Sequence, residues 1–151
     1  MIHMRKALVE EAHKLSNIAI KSKAHWNYSK EFIRECLEDL TINKKYIEDN
    51  HVYVLESNGD IAGFFTFVRG KNDSLDFLYV HPDFLGKGFG KVLWDNAIEK
   101  AREIGIESFI IDSDPNAESF YKKMGAELIG ETPSTVFKNR TLPLMKFIID
   151  D

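Results

Sequence analysis

The run Val80-His81-Pro82-Asp83-Phe84-Leu85-Gly86-Lys87-Gly88-Phe89-Gly90-Lys91 constrains this chain more than any other stretch, because an apolar strand feeds three glycines that open an amphipathic helix. Asp76 to Val80 supplies the strand, and Leu93, Ala97, Ala101 and Ile104 then recur at helical spacing until Gly105 offers a C-terminal cap. Glycine reaches positive φ and lets a ligand approach the backbone without a Cβ in the way. Gly86, Gly88 and Gly90 are therefore expected to turn successive amides toward one anionic group, with the helix dipole pointing the same way. Lys87 and Lys91 add cations beside that cradle. Three glycines within five residues exceed what a tight strand-to-helix turn needs.

Spacing separates the phosphate loops that such a pattern can represent. A Walker loop places Gly-Lys-Ser/Thr after four intervening residues, and here Lys91 is followed by Val92, which has no hydroxyl for magnesium. A dinucleotide fold places G-x-G-x-x-G directly after the first strand of the domain, whereas this G-x-G-x-G comes after roughly half the chain, behind antiparallel strands. Asp112 at the end of the next strand can imitate the ribose-binding acid, so a dinucleotide-binding protein stays open as a lesser alternative.

The rest of the chain organises around this unit. Ile2 to Leu8 reads as a strand, followed by a helix with Leu8, Ala12, Leu15 and Ala19 on one face, whose pattern breaks near Ser22. Ser22 to Tyr28 reads as a loop, and Ser29 as the N-cap of a second helix carrying Phe32, Ile33, Cys36, Leu37 and Leu40. Val52 to Ser57 and Ile61 to Arg69 read as strands of a hairpin closed by Asn58-Gly59. Lys71-Asn72-Asp73 turns the chain into a third antiparallel strand, Leu75 to Val80. Glu107 to Asp112 returns parallel to it by a right-handed crossover. Asp114-Pro115 starts another helix that Gly125 ends, and Ala126 to Gly130 and Leu142 to Ile149 are strands flanking a polar loop from Glu131 to Arg140.

The segment Leu85-Gly86-Lys87-Gly88-Phe89-Gly90 resembles the pyrophosphate loop of the GNAT superfamily of acetyl-CoA-dependent N-acetyltransferases, whose usual form is Arg/Gln-x-x-Gly-x-Gly/Ala at a strand-to-helix junction. The element order β-α-α-β-β-β-α-β-α-β-β also resembles the whole of that fold. The implied fold is mixed α/β, with a central, mostly antiparallel, twisted sheet of about seven strands. A β-α-β acyl-CoA-binding core and four flanking helices complete it, as a single domain over 1–151. Leu85 departs from the family pattern and removes one side-chain contact to the pyrophosphate.

The resemblance implies acetyl-CoA as co-substrate and a cleft between splayed fourth and fifth strands. It assigns the cofactor to Gly86, Lys87, Gly88, Phe89, Gly90 and Lys91, with backbone groups of Leu78, Tyr79 and Val80 on the pantetheine arm. Asn116 matches the family's asparagine near the pantetheine, and Tyr121 the tyrosine that protonates the departing thiolate. Ala117, Phe120, Tyr121 and Met124 equally form an ordinary apolar helix face. Asp76 is the candidate general base, drawing a proton from the incoming ammonium through water; strand alternation sets Asp76, Leu78 and Val80 opposite Phe77 and Tyr79. His25, Trp26 and Tyr28 lie where relatives build the acceptor wall, and aromatic faces attract ammonium by about 0.5–2 kcal/mol.

Composition bounds the partners. At 151 residues and 44% hydrophobic residues the chain suffices for one well-buried core, and no stretch approaches the roughly 20 apolar residues that span a bilayer. The single cysteine, Cys36, excludes an intrachain disulfide and suits a reducing, cytoplasmic compartment. A net charge of −4 argues against nucleic acid as the main partner and suits a cationic or neutral acceptor. The dispersed histidines imply no metal. The expectation is direct acetyl transfer to a primary amine of a small molecule or peptide, by an enzyme expected to be a homodimer. A CoA-binding module without turnover is the alternative that Leu85 motivates.

Overall fold

Ala62 to Phe67 are all buried, the near-continuous apolar run expected of a strand covered on both faces. In the computed structural model, which describes residues 1–150, that run is the heart of β3 (Asp60–Val68), third strand of a seven-stranded sheet ordered β1-β2-β3-β4-β5-β7-β6. The other strands are β1 (Ile2–Lys6), β2 (His51–Ser57), β4 (Ser74–Val80), β5 (Ser108–Asp112), β6 (Glu127–Pro133) and β7 (Thr141–Ile148). All neighbours are antiparallel except β4 and β5.

Helices cover both faces. α1 (Ala12–Ala24), α2 (Lys30–Leu40) and α3 (Lys44–Asp49) bury Leu15, Ile18, Cys36, Leu40 and Ile47 against Val52, Val54, Phe64 and Phe77. On the other face α4 (Phe89–Glu103) and α5 (Glu118–Lys123) bury Leu93, Trp94, Ala97, Ala101 and Tyr121 against Phe65, Phe67, Phe109 and Met145. Local chemistry sets the element ends as the residue types dictate. Asn58 and Gly59 both take positive φ in the β2–β3 turn, the Ser29 hydroxyl accepts the Phe32 N–H at 3.0 Å, and Gly105 (φ 87) ends α4.

The mixed seven-stranded sheet is as expected, but five helices flank it and not four. The additional helix is α3, capped by the Asn43 side chain on the Tyr46 N–H at 2.8 Å. Six residues carry too little periodicity to announce a helix, and its stability comes from burying Ile47. α1 runs on to Ala24, so the expected Ser22–Tyr28 loop shortens, because Lys21 and Ser22 carbonyls still accept the His25 N–H. Likewise β6 extends to Pro133 and takes the first residues of the expected Glu131–Arg140 loop into the β7 ladder.

β4 does not alternate simply. Phe77 pairs with Thr66 and Leu75 with Phe67, so Asp76 is an extra residue, a β-bulge. Leu75 therefore packs on the α4 side and Phe77 on the α1 side although only one residue separates them. Past the bulge, Leu78 and Val80 face α4 while Tyr79 faces α1.

Gly63 is set where β3 meets both the end of β4 and α4: a Cβ there would lie 2.6 Å from the Tyr79 carbonyl oxygen and 2.8 Å from Leu93 Cδ1. Gly63→Ala is expected to destabilise the fold by about 1–3 kcal/mol through overpacking. The shift of the urea unfolding midpoint at unchanged slope measures it.

Candidate active site

β4 and β5 share a single register pair, Ser74 with Ile110, tied by the Ile110 N–H to the Asp73 carbonyl at 2.9 Å. Beyond it the strands part. The wedge between them opens into a cleft of about 510 Å³, walled by Leu78, Tyr79 and Val80 of β4, Ile111 and Asp112 of β5, and Phe120 and Tyr121 of α5. The glycine loop (Leu85, Gly86 and Gly88) closes one end, and Ser22 and Lys23 of α1 with Trp26 just beyond it form a rim.

At the loop, Gly86 (φ 78) and Gly88 (φ 77) are left-handed, and a Cβ on either would meet nothing within 4 Å. Packing does not require these glycines; backbone conformation and open access do. Gly88 is the N-cap of the fifteen-residue α4, and the first helical bond runs from the Val92 N–H to its carbonyl. The amides of Phe89, Gly90 and Lys91 therefore precede the first intrahelical donor, at the positive end of the helix dipole. Gly90 departs from the expectation of positive φ, because it already lies in α4. It is small for another reason: a Cβ would come 3.3 Å from Phe120 Cε1. Lys87 lies over the Phe84 ring, 5.5 Å from its centroid, and Lys91 pairs with Asp95 at 2.8 Å; neither lines the cleft. Exposed Leu85 does.

Tyr121 is buried, its ring held between Trp94 and Phe120, and among the described residues its hydroxyl has no hydrogen-bond partner. Burial, then the Asp114 charge, pushes its phenol well above the ordinary tyrosine value. Tyr79 lines the same cleft and is pushed up by burial and by Tyr121, so both phenols stay protonated across the physiological range. Such a cleft fits an extended acyl thioester with an anionic end: apolar walls for the arm, free amides for phosphate, and a protonated hydroxyl.

At the root of the wedge stand Asp76 and Asp112. Burial and then the charge of Asp76 raise the Asp112 carboxyl. The Asp76 carboxylate accepts the Tyr46 hydroxyl at 2.5 Å. Asn116 also lines the cleft, but its amide is engaged, donating to the Tyr28 hydroxyl and to Asp114, both at 3.0 Å.

Of the aromatic cluster, Trp26 alone reaches the cleft. His25 is exposed, edge-on to Trp26. Tyr28 stacks on Phe32 and its hydroxyl donates to Asp114 at 3.0 Å while accepting from Arg140 at 3.1 Å. Lys23 completes this group by an ion pair with Asp114, both side chains largely buried. The sequence signals only part of it: Asp114 before Pro115 reads as a helix cap, and it does accept the Asn116 N–H at 2.8 Å. Nothing local announces a lysine 91 positions upstream. Among the described residues no group of three or more His, Cys, Asp or Glu is arranged to hold a metal, and no helix is long and apolar enough to cross a membrane.

Residues 10–145 match the family model described as an acetyltransferase (GNAT) domain. The chain is 29% identical over 137 residues to the 5-NmdU N-acetyltransferase of Pseudomonas phage PaMx11, covering 87% of this chain and 91% of that protein. It is also 29% identical over 133 residues to the peptidyl-lysine N-acetyltransferase YjaB of Salmonella typhimurium, covering 87% and 88%. Among solved structures, the PaiA N-acetyltransferase of Thermoplasma acidophilum in complex with coenzyme A superposes with a TM-score of 0.76 at 21% identity, over 98% of this chain and 99% of that one.

Burial alone would raise the Asp114 carboxyl, but the Lys23 ammonium, the Asn116 N–H and the Tyr28 hydroxyl outweigh it and hold it below the usual carboxylate range. A depressed folded value contributes stability above the unfolded value of about 4 and loses it as pH falls through the folded value. Asp114→Asn is expected to cost about 1–3 kcal/mol near neutrality. Urea midpoints as a function of pH check this, with the gap between the two proteins narrowing below about pH 4.

Proposed function

The chain belongs to the GNAT acetyltransferase family, and from that premise we propose that it passes the acetyl group of acetyl-CoA directly to a primary amine within a ternary complex. N-acetyl transfer is common to the two curated relatives at 29% identity, and their names differ in acceptor, a peptidyl lysine in one and 5-NmdU in the other. The acceptor proposed here is correspondingly a primary amine of a small molecule or peptide. The structural neighbour holding coenzyme A supports the same cofactor for this cleft.

The observation that carries the reading is the parting of β4 and β5 beside the glycine-opened N-terminus of α4, with a partnerless phenol on the opposite wall. Acetyl-CoA supplies an activated acyl carbon on a thiolate leaving group. The amides beginning at Gly86 take the pyrophosphate, and Phe89 and Gly90 receive it at the helix start. Backbone groups of Leu78, Tyr79 and Val80, on the side of β4 that β5 leaves, hold the pantetheine arm and polarise the acetyl carbonyl. Asp76 accepts a proton from the acceptor ammonium through water, freeing the lone pair that attacks the carbonyl carbon. As the C–S bond breaks, Tyr121 gives its proton to the thiolate, and the second proton that the nitrogen sheds on becoming an amide restores the phenol. Raised by burial and by Asp114, this phenol has its proton to give at neutral pH. Trp26 at the rim offers an aromatic face to the arriving cation.

Leu85 favours one second reading, a module that binds CoA without turnover, because an exposed leucine replaces the polar side chain of the family loop. Calorimetric titration with acetyl-CoA, followed by turnover with a lysine-containing peptide and with spermidine, separates the two. Tyr121→Phe is expected to keep CoA affinity and lose kcat by about 10²–10⁴-fold. Unchanged kcat removes Tyr121 as the acid, and binding without turnover in the unsubstituted protein favours the second reading. Gly88→Glu, which forces a side chain onto a left-handed residue and a carboxylate into the cradle, is expected to abolish CoA binding while thermal unfolding remains cooperative. Retained affinity places the pyrophosphate elsewhere.

A further inference from the structure

The sole proton of the Tyr46 hydroxyl goes to the Asp76 carboxylate at 2.5 Å. The same oxygen lies 2.9 Å from Thr66 Oγ1, so the Thr66 hydroxyl must be the donor in that contact. Thr66 Oγ1 in turn accepts the Phe77 N–H at 3.1 Å. The chain of donors thus has one direction, from the Phe77 amide through Thr66 and Tyr46 to Asp76. It begins inside the protein, since Phe77 and Thr66 are buried, and ends at the exposed Asp76, so it holds a carboxylate from behind and is not a path for protons between the interior and solvent.

Three features give this chain its geometry. The bulge removes Asp76 from the β3–β4 register and turns it toward α3 at the root of the wedge. α3 is pinned at Tyr46 itself: the Asn43 side chain takes its N–H at 2.8 Å, and its carbonyl accepts the Asn50 N–H at 3.1 Å and the Asn50 side-chain amide at 3.0 Å. The Tyr46 ring meets Phe77 edge-on with centroids 5.8 Å apart, leaving the hydroxyl little freedom to reach anything but Thr66 and Asp76.

We propose that Tyr46 is a positioning residue that fixes the Asp76 carboxylate at the root of the cleft. The proposal rests on the reading of Asp76 as the base. Asp76 is exposed, so packing does not hold its side chain, and the hydrogen bond donated by Tyr46 sets which way the carboxylate points. Without Tyr46 the carboxylate is free to rotate away from the water that carries the acceptor's proton.

The test measures turnover of a lysine-containing peptide and of spermidine, with acetyl-CoA affinity and thermal unfolding followed in parallel. Tyr46→Phe, which removes the donor and keeps the ring, is expected to lower kcat about tenfold at unchanged acetyl-CoA affinity and unfolding temperature, and to cost nothing further in the Asp76→Asn background. A merely structural tyrosine lowers the activity of Asp76→Asn as much as that of the unsubstituted protein. Unchanged kcat in Tyr46→Phe, or an additive loss in the double variant, overturns the proposal. Loss of turnover in Asp76→Asn supports the base reading on which it rests. Full turnover in Asp76→Asn overturns the base assignment, and the proposal with it.

Discussion

Because β4 and β5 touch at one register pair and then diverge, the backbone groups of β4 that a continuing parallel ladder would consume are left facing a cleft. The outer ladders are complete: β4 is paired to β3 along most of its length, and β5 to β7 from Ser108 to Asp112. The sheet therefore does not fray where it opens. Each half is braced from outside, and α4 closes the wedge from one face through Leu93, Trp94 and Ala97. The same packing brings the amide-rich start of α4 to the upper end of β4, where Gly63 allows backbone and helix to approach.

The cleft is electrostatically divided. At its loop end a helix N-terminus with two left-handed glycines presents positive backbone dipoles, so a chain of net charge −4 needs no basic patch to hold an anion. At its root stand Asp76 and Asp112, while Asp114, just past the end of β5, is paired with Lys23. The two phenols of Tyr79 and Tyr121 lie between these ends, kept protonated by burial. A reaction that separates charge, with a thiolate at one place and an ammonium at another, suits such a division.

Much of this was legible residue by residue. The hairpin at Asn58-Gly59, the cap at Ser29, the strand-loop-helix around Gly86 and Gly88, and the stop at Gly105 all follow from local rules and stand where those rules put them. The misses share a cause. α3 is six residues long, Gly90 is small because of Phe120 and not because of its own φ, and the extra residue at Asp76 shows only in how β4 pairs with β3. None of these has a signature within its own segment.

By itself the sequence determined the order and type of the major elements, the position of the glycine loop between strand and helix, and the family to which that pattern points. These depend on periodicity, backbone propensity and capping, which act within a few residues. Only the tertiary structure decided that Lys23 meets Asp114 across 91 positions, that Tyr46 reaches Asp76 across 30, that Trp26 faces the cleft while Tyr28 is consumed behind it, and that the strands part immediately after Ser74. Those outcomes depend on register and on which faces pack together, and contacts between distant segments are set by the fit of whole layers, a quantity no local window of residues contains.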